Sequence, residues 1–71
     1  QKQVMQQRQQ GQHQQAIDTL QKALVVSRQL KDRELEGNVL HELGFNYNKI
    51  GQRQKALEYY NQALPIRREV G

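Results

Sequence analysis

The sequence contains no cysteine and no tryptophan, and only one proline and one phenylalanine in 71 residues. Without cysteine, the chain can form neither a disulfide framework nor a thiolate metal site. Its two histidines, His13 and His41, are too few for a zinc site built on imidazoles. No apolar run approaches the roughly 18 residues of a membrane-spanning helix, and there is no signal-peptide core. We therefore expect a soluble, cytoplasmic chain that uses no metal, cofactor or membrane.

The sequence does contain an internal repeat. A shift of 40 residues aligns residues 11–30 with residues 51–70, and seven of the twenty aligned pairs are identical. The identical pairs are Gly11/Gly51, Gln12/Gln52, Gln14/Gln54, Ala16/Ala56, Ala23/Ala63, Leu24/Leu64 and Arg28/Arg68. Repeats of this length are typical of solenoids, in which each unit packs on the next. Because the chain has no initiating methionine and ends on Gly71, we expect it to be a piece of a longer protein.

The complete unit predicts two helices. In residues 34–50, apolar residues recur every three or four positions and form one helical face: Leu35, Val39, Leu43, Tyr47 and Ile50. Asp32 is the expected N-cap, and Glu34 and Glu36 suit the positive end of the helix dipole. Gly51 is expected to end this helix, because glycine adopts the left-handed backbone conformation without steric cost.

The second helix of this unit is predicted over residues 54–70. Its facing stripe comprises Ala56, Leu57, Tyr60, Ala63, Leu64 and Arg67. Pro65 lies within it, and we interpret this proline as a kink; the alternative is that the helix ends at Leu64. The first unit predicts a helix up to Gln10, a break at Gly11 and a helix over residues 14–30. No alternating β pattern is present. The prediction is an all-α fold of antiparallel helix-turn-helix hairpins stacked as an α-solenoid, with repeats at residues 1–31 and 32–71.

These residues resemble the tetratricopeptide repeat, whose pattern combines a large apolar residue, Leu-Gly, tyrosine, and small and aromatic residues at fixed spacing. The matching residues are Leu40, Leu43, Gly44, Tyr47, Ala56, Tyr60 and Ala63. Gly44 and Ala56 would allow the two helices of the hairpin to approach closely, and Tyr47 and Tyr60 would fill the remaining space.

The repeat departs from the usual pattern in two ways. Its period of 40 residues exceeds the usual 34, which resembles the repeats of kinesin light chain, of Pins-type spindle-orientation scaffolds and of long cyanobacterial arrays. In the first unit, Gln3 stands where Leu43 does and Gln7 where Tyr47 does, so the leading helix is expected to be weakly held or to act as an N-terminal cap.

Catalysis finds no support in the sequence. The sequence contains one serine, Ser27, and one threonine, Thr19, and neither has a histidine nearby in helical register. Asp18 and His13 are interpreted as solvated side chains. The net charge of +4 and pI near 9.8 raise the possibility of nucleic-acid binding. The basic residues are scattered and lack interleaved aromatics, so a solvated surface is the better interpretation.

The resemblance implies a protein-interaction scaffold whose leading helices line a concave groove for a partner peptide or helix. The groove residues expected from the helical register are Met5, Arg8, Gln9, Asn38, His41, Phe45, Asn48 and Lys49. Lys49 and Arg8 would favour an acidic peptide. Two alternatives stay open: a regulatory array attached to an effector domain such as a protease or nucleotide-driven switch, and, with less support, a nucleic-acid-binding repeat.

Self-association is also expected. Leu64, Ile66 and Val70 lie on the final helix, and a single hairpin cannot bury all of Tyr59, Leu64 and Ile66. End units of repeat proteins need polar outer faces to stay soluble, and this one has none. The sequence therefore predicts association through the C-terminal helix, or exchange of helices between chains.

Overall fold

The structure, a computed structural model, describes the backbone of residues 2–70 and the side chains of residues 11–70. Three helices follow one another: α1 (Lys2–Gln29), α2 (Arg33–Lys49) and α3 (Arg53–Val70). The middle helix, α2, packs against both of the others, and no strand occurs in residues 2–70. The predicted all-α hairpin fold is therefore confirmed. None of these three helices is long and apolar enough to cross a lipid bilayer.

The predicted break at Gly11 is wrong, because α1 runs without interruption from Lys2 to Gln29. Gly11 is exposed, and its φ lies outside the positive range in which glycine is favoured over other residues. A glycine inside a helix costs only about 1 kcal/mol, which surrounding good helix formers such as glutamine offset. The sequence before Gly11 also offers only Val4 and Met5 as apolar residues, too few to form a buried face for a hairpin.

Both turns end their helices in the same way. Ile50 caps α2, and Gly51 follows with φ of +84°. The N–H of Gly51 donates to Asn48 O at 3.1 Å and that of Gln52 to Tyr47 O at 2.9 Å, which are the two bonds of a Schellman motif. After α1, Lys31 adopts the same left-handed conformation with φ of +56°. This repetition places α2 and α3 antiparallel to the helix that precedes each.

The predicted N-cap of α2 is confirmed. Asp32 has extended backbone angles, and its Oδ1 accepts a hydrogen bond from the N–H of Leu35 at 3.1 Å. The predicted bounds of α2 and α3 are each within one residue of those observed. Pro65 lies inside α3, which continues to Val70, so the alternative ending at Leu64 is wrong.

A single apolar core joins the three helices. Its buried members come from α1, α2 and α3 and are Ile17, Leu24, Val39, Leu40, Leu43, Tyr47, Ala56, Ala63 and Ile66. The apolar face predicted for α2 is buried at the centre of the helix, although Leu35 at its start is exposed. Two sides of α2 are covered, since it lies between α1 and α3.

The predicted facing stripe of α3 needs correction. Ala56 and Ala63 are buried as expected, but Leu57, Leu64 and Arg67 are exposed. Ile66, predicted on the open face, is buried instead, and its side chain lies over the bare backbone of Gly37. The stripe is shifted around the helix because α3 turns its two alanines and Ile66 toward α2, where small residues permit close approach.

Tyr59 was also expected on the open face, and it is half-buried instead. Its ring stacks on that of Tyr47, with centroids 5.3 Å apart and an angle of 5° between the planes. Its hydroxyl accepts a hydrogen bond from Gln21 Nε2 at 2.7 Å. Tyr59 therefore links α3 to α1, in addition to packing on α2 itself.

Candidate protein-binding surface

One side of α2 remains uncovered between its two neighbours. Its buried residues fill the half of the helix that faces α1 and α3, so the other half is presented to solvent. The five residues predicted for the groove on this helix all lie on the uncovered half and are exposed: Asn38, His41, Phe45, Asn48 and Lys49. We call these five residues the α2 face.

Phe45 lies near the middle of the α2 face and is 43% exposed. The ammonium group of Lys49 sits 5.2 Å from the centre of its ring, within the range of a cation–π interaction. The ring of His13 from α1 also approaches Phe45, in an edge-to-face arrangement with the centroids 6.4 Å apart. A partly exposed apolar ring therefore has both a cation and an imidazole as neighbours.

His41 and Asn48 lie at the edge of the α2 face next to α3. The His41 ring is 5.3 Å from that of Tyr60, between centroids. Asn48 lines a shallow depression of about 280 Å³ together with Arg53, Leu57 and Tyr60. Polar donors and acceptors of α2 therefore adjoin an apolar surface contributed by α3.

Asn38 lies at the other end of the α2 face. It lines a separate small depression at the open end of the hairpin, beside Arg33, Ile66 and Arg67. The predicted groove residues of the first unit, Met5, Arg8 and Gln9, belong to the α1 backbone, but their side chains lie outside the described residues. The side chain that α1 brings to Phe45 is His13, which the sequence pattern did not indicate for the groove.

The close approach of α2 and α3 depends on two glycines. A Cβ atom at Gly44 would lie 2.6 Å from Cδ1 of Tyr60, and one at Gly37 would lie 2.9 Å from Cγ2 of Ile66. Non-bonded contacts of a Cβ atom essentially never fall below 3.0 Å, so neither position can carry a side chain unless its neighbour moves. The seven residues of the repeat signature are all buried in the hairpin except Tyr60, which is half-buried. They fix the orientation in which α2 presents its exposed half.

Two linked hydrogen bonds connect α1 with the buried Asn46 of α2. His13 Nδ1 donates to Asn46 Oδ1 at 2.8 Å, and Asn46 Nδ2 donates to Glu42 O, also at 2.8 Å. Asn46 is buried, so both of its polar atoms have partners in the protein, as buried amides require. Sequence reasoning missed this contact, because the residues are far apart in the chain and no local pattern links them.

Ion pairs join α1 and α2 at the other end of their contact. The carboxylate of Glu36, nearly buried, accepts from Arg28 Nε and from Arg33 Nη1, both at 3.2 Å. Arg33 also donates through Nη2 to Glu69 of α3 at 2.9 Å. The hydrogen bond that Arg33 donates to Glu69 is the largest cause that raises the pKa of Arg33, and the hydrogen bond to Glu36 and its charge add to it. From the sequence alone, the only predicted interaction of Glu36 is with the dipole of α2.

Among the described residues, no group of three histidine, aspartate or glutamate side chains could hold a metal ion. The hydroxyl of Ser27 is buried and donates to Leu24 O at 2.8 Å. Every buried side-chain nitrogen and oxygen within residues 11–70 has a hydrogen-bond partner.

The antiparallel hairpin, its glycine contacts and its exposed leading-helix face define a helical-repeat protein of the kind that binds other proteins. A family model of the tetratricopeptide repeat matches residues 4–69. The chain therefore belongs to the tetratricopeptide repeat family, which generally mediates protein–protein interaction and is generally not enzymatic. Comparison with curated proteins gave no match, and comparison with solved structures gave none either.

Proposed function

We propose that the α2 face binds an extended acidic peptide of a partner protein. The observation that supports this most directly is Phe45, an accessible aromatic ring with the ammonium group of Lys49 and the ring of His13 beside it. Aromatic residues and cations are enriched at the centres of protein interfaces, where one supplies apolar area and the other fixes a charge. A peptide with one apolar side chain beside a carboxylate would match this pair.

The polar residues of the α2 face suit an extended backbone. Asn38 and Asn48 lie at opposite ends of the face, and each amide can both donate to and accept from a peptide group. Arg53 adds a second cation beside Asn48 in the same depression. The α2 face and the adjoining Arg53 of α3 therefore offer two cations, two amides and one aromatic ring, which favours acidic over basic ligands.

The proposal is tested with a defined probe. We suggest a fluorescein-labelled ten-residue peptide that contains three glutamates and one leucine, titrated with the 71-residue chain in low salt. We expect saturable anisotropy that weakens as salt is added, because the attraction between exposed charges is screened. Lys49→Glu and Phe45→Ala should each weaken binding, and a peptide with lysine in place of glutamate should not bind.

The matched control is Lys22→Glu, which changes charge by the same amount on the side of α1 that faces away from Ile17 and Leu24. Equal weakening by Lys22→Glu and Lys49→Glu would show that only net charge matters and would contradict a peptide site. Thermal melting of each variant checks that the fold is retained. The alternative, a regulatory array joined to an effector domain elsewhere in a longer chain, requires no peptide on this face. A complete lack of peptide binding would favour that alternative.

We also infer two finer properties of the chain. Its hairpin from Arg33 to Val70 exceeds a 34-residue repeat, which supports the lengthened variant resembling kinesin light chain, Pins-type and cyanobacterial arrays. A cytoplasmic location fits a cysteine-free interaction module. Fractionation of cells that express the tagged protein would test the location.

A second candidate is association of copies through α3. The exposed apolar side chains Leu57 and Leu64, which lie two helical turns apart on one side of α3, support it, and Val70 near the end of the helix is exposed as well. Sedimentation over a wide concentration range should show reversible association, which Leu64→Lys abolishes. A sharp-melting monomer at every concentration would contradict this association.

A further inference from the structure

The ring of His13 adjoins the centre of the α2 face, although the residue belongs to α1. It is half-buried, and its centroid lies 6.4 Å from that of Phe45, whose ring also has the ammonium group of Lys49 beside it at 5.2 Å. The counterpart of His13 in the second unit of the repeat is Arg53, which carries a permanent positive charge. A histidine at this place therefore supplies a charge that depends on pH, where the other unit supplies a fixed one.

The hydrogen bonds of Asn46 determine which nitrogen of His13 carries the proton. Asn46 Nδ2 lies 2.8 Å from the backbone oxygen of Glu42, and a carbonyl oxygen can only accept, so the amide nitrogen must be the donor there. The amide oxygen of Asn46 is thereby turned toward His13, where Nδ1 lies 2.8 Å away. Because that oxygen can only accept, Nδ1 must carry the proton, and in the neutral ring Nε2 has none.

Protonation of His13 at Nε2 preserves this contact. The neutral and the charged ring both carry a proton on Nδ1, so both can donate to Asn46. Within residues 11–70, Nε2 has no hydrogen-bond partner, and none of the buried side-chain nitrogens and oxygens there lacks one, so Nε2 is accessible to solvent. The imidazole can therefore take up a proton, and with it a positive charge, without releasing α1 from α2.

The charged groups around His13 come from α2. The titratable and charged side chains of α2 within four positions of Asn46 are Glu42, Tyr47 and Lys49. The carboxylate of Glu42 would favour the imidazolium and the ammonium group of Lys49 would oppose it. Along α1, no charged residue lies within four positions of His13. From α3, the phenol of Tyr59 reaches α1 only at Gln21, two helical turns further on.

The other histidine of the chain, His41, is less suited to change the charge of the α2 face. Its ring lies 5.3 Å from that of Tyr60 at the edge of the face, and it lines a depression there together with Arg67 of α3. The fixed charge of Arg67 opposes a second positive charge at that place. His13 instead adjoins Phe45 and is held in one orientation by its hydrogen bond to α2.

We propose that His13 makes the affinity of the α2 face for an acidic peptide depend on pH. The imidazolium that forms on acidification adds a cation beside Phe45 and Lys49, and its Nε2–H donates to a carboxylate of the bound peptide. In the neutral ring, Nε2 is an acceptor and offers that carboxylate no donor. The affinity therefore rises as the pH falls through the range in which histidine titrates. This inference rests on the proposed peptide binding by the α2 face.

The test compares binding at about pH 8 and at about pH 5.5, on either side of the usual titration of histidine. The probe is the peptide with three glutamates and one leucine, labelled with a pH-insensitive rhodamine, and its glutamates stay largely ionised at both pH values. We expect the 71-residue chain to bind it about three- to fivefold more tightly at the lower pH, as for one added exposed ion pair.

His13→Asn should remove this difference in affinity. The amide nitrogen of asparagine is bonded to Cγ, as Nδ1 of histidine is, so it can donate to Asn46 but cannot take up a charge. The matched control moves the histidine: His13→Asn combined with Gln15→His places an imidazole on the exposed side of α1 opposite Ile17, and it should not restore the pH dependence. Thermal melting at both pH values checks that each variant is folded.

Nitrogen NMR of the free chain tests the same group without peptide. At about pH 8, Nδ1 of His13 should carry the proton and Nε2 should not, and Nε2 should gain one on acidification. The reverse tautomer would overturn the inference, because protonation would then break the hydrogen bond to Asn46.

Three binding results would also overturn the inference: full pH dependence in His13→Asn, restoration by Gln15→His, or equal affinity of the unmodified chain at both pH values. Restoration by the moved histidine would show that only net charge matters. Equal affinity at both pH values would leave the proposed peptide binding intact, whereas a probe that binds at neither pH would contradict both.

Discussion

The ring of Tyr60 lies against the backbone of Gly44 so closely that a Cβ atom at position 44 would come within 2.6 Å of Tyr60 Cδ1. Tyr60 is half-buried, and the ring of His41 lies 5.3 Å from its own, between centroids. The contact thus links the packing of the hairpin to the edge of the α2 face. Any side chain at position 44 must displace the ring from the place where it supports that edge.

Gly44→Leu should destabilise the fold by about 1–3 kcal/mol, which is the usual cost of overpacking. Gly11→Ala is the control, because nothing lies within 4 Å of a Cβ there and alanine favours a continuous α1. Thermal melting should therefore show a lower midpoint for Gly44→Leu and a higher one for Gly11→Ala. Adding Tyr60→Ala to Gly44→Leu should cost less than the sum of the single changes, since the clash is then removed. Fully additive effects would contradict the contact.

Lys31 and Gly51 adopt the same left-handed backbone after α1 and α2, with φ of +56° and +84°. A side chain in this conformation costs roughly 1–2 kcal/mol compared with glycine, because its Cβ crowds the following carbonyl oxygen. Lys31→Gly should therefore raise the thermal midpoint and Gly51→Ala should lower it. The two substitutions should shift the thermal midpoint in opposite directions, because they are made at equivalent positions. Shifts in the same direction would show that the two turns differ in conformation.

Glu36 and Glu69 both pair with Arg33, but they differ in burial. Glu36 is nearly buried and holds Arg28 as well, so Glu36→Gln should cost about 1–2 kcal/mol of unfolding free energy. Glu69 is exposed, and Glu69→Gln should cost less than about 1 kcal/mol. Urea denaturation at low and at high salt separates the two, because screening removes the contribution of the exposed pair and leaves most of the buried one. A larger effect at Glu69 would contradict this ranking.

The elements that could be predicted from sequence are those determined by local chemistry. Asp32 caps α2 because its side-chain oxygen accepts a hydrogen bond from the first turn of the helix. Gly51 ends α2 because a residue without a Cβ atom adopts the left-handed backbone conformation at no steric cost. The exposed half of α2 followed from residue spacing. The exposure of Leu57 and the burial of Ile66 did not, because their apolar character is similar and only the position of neighbouring helices distinguishes them. The continuity of α1 through Gly11 also depended on the lack of an apolar partner surface rather than on the glycine itself.

Pro65 gives the last prediction, because α3 continues through it to Val70. Proline at this position cannot donate a backbone hydrogen bond to the carbonyl of Asn61, the residue four positions earlier, and its ring crowds that carbonyl. Pro65 is exposed, so alanine there would remove no buried contact. Pro65→Ala should therefore stabilise the fold, by up to about 3 kcal/mol. Gln62→Ala, at another exposed position of α3, should change the midpoint little. If α3 instead ended at Leu64 in solution, Pro65→Ala would be neutral or destabilising, because proline would then only restrict the unfolded chain.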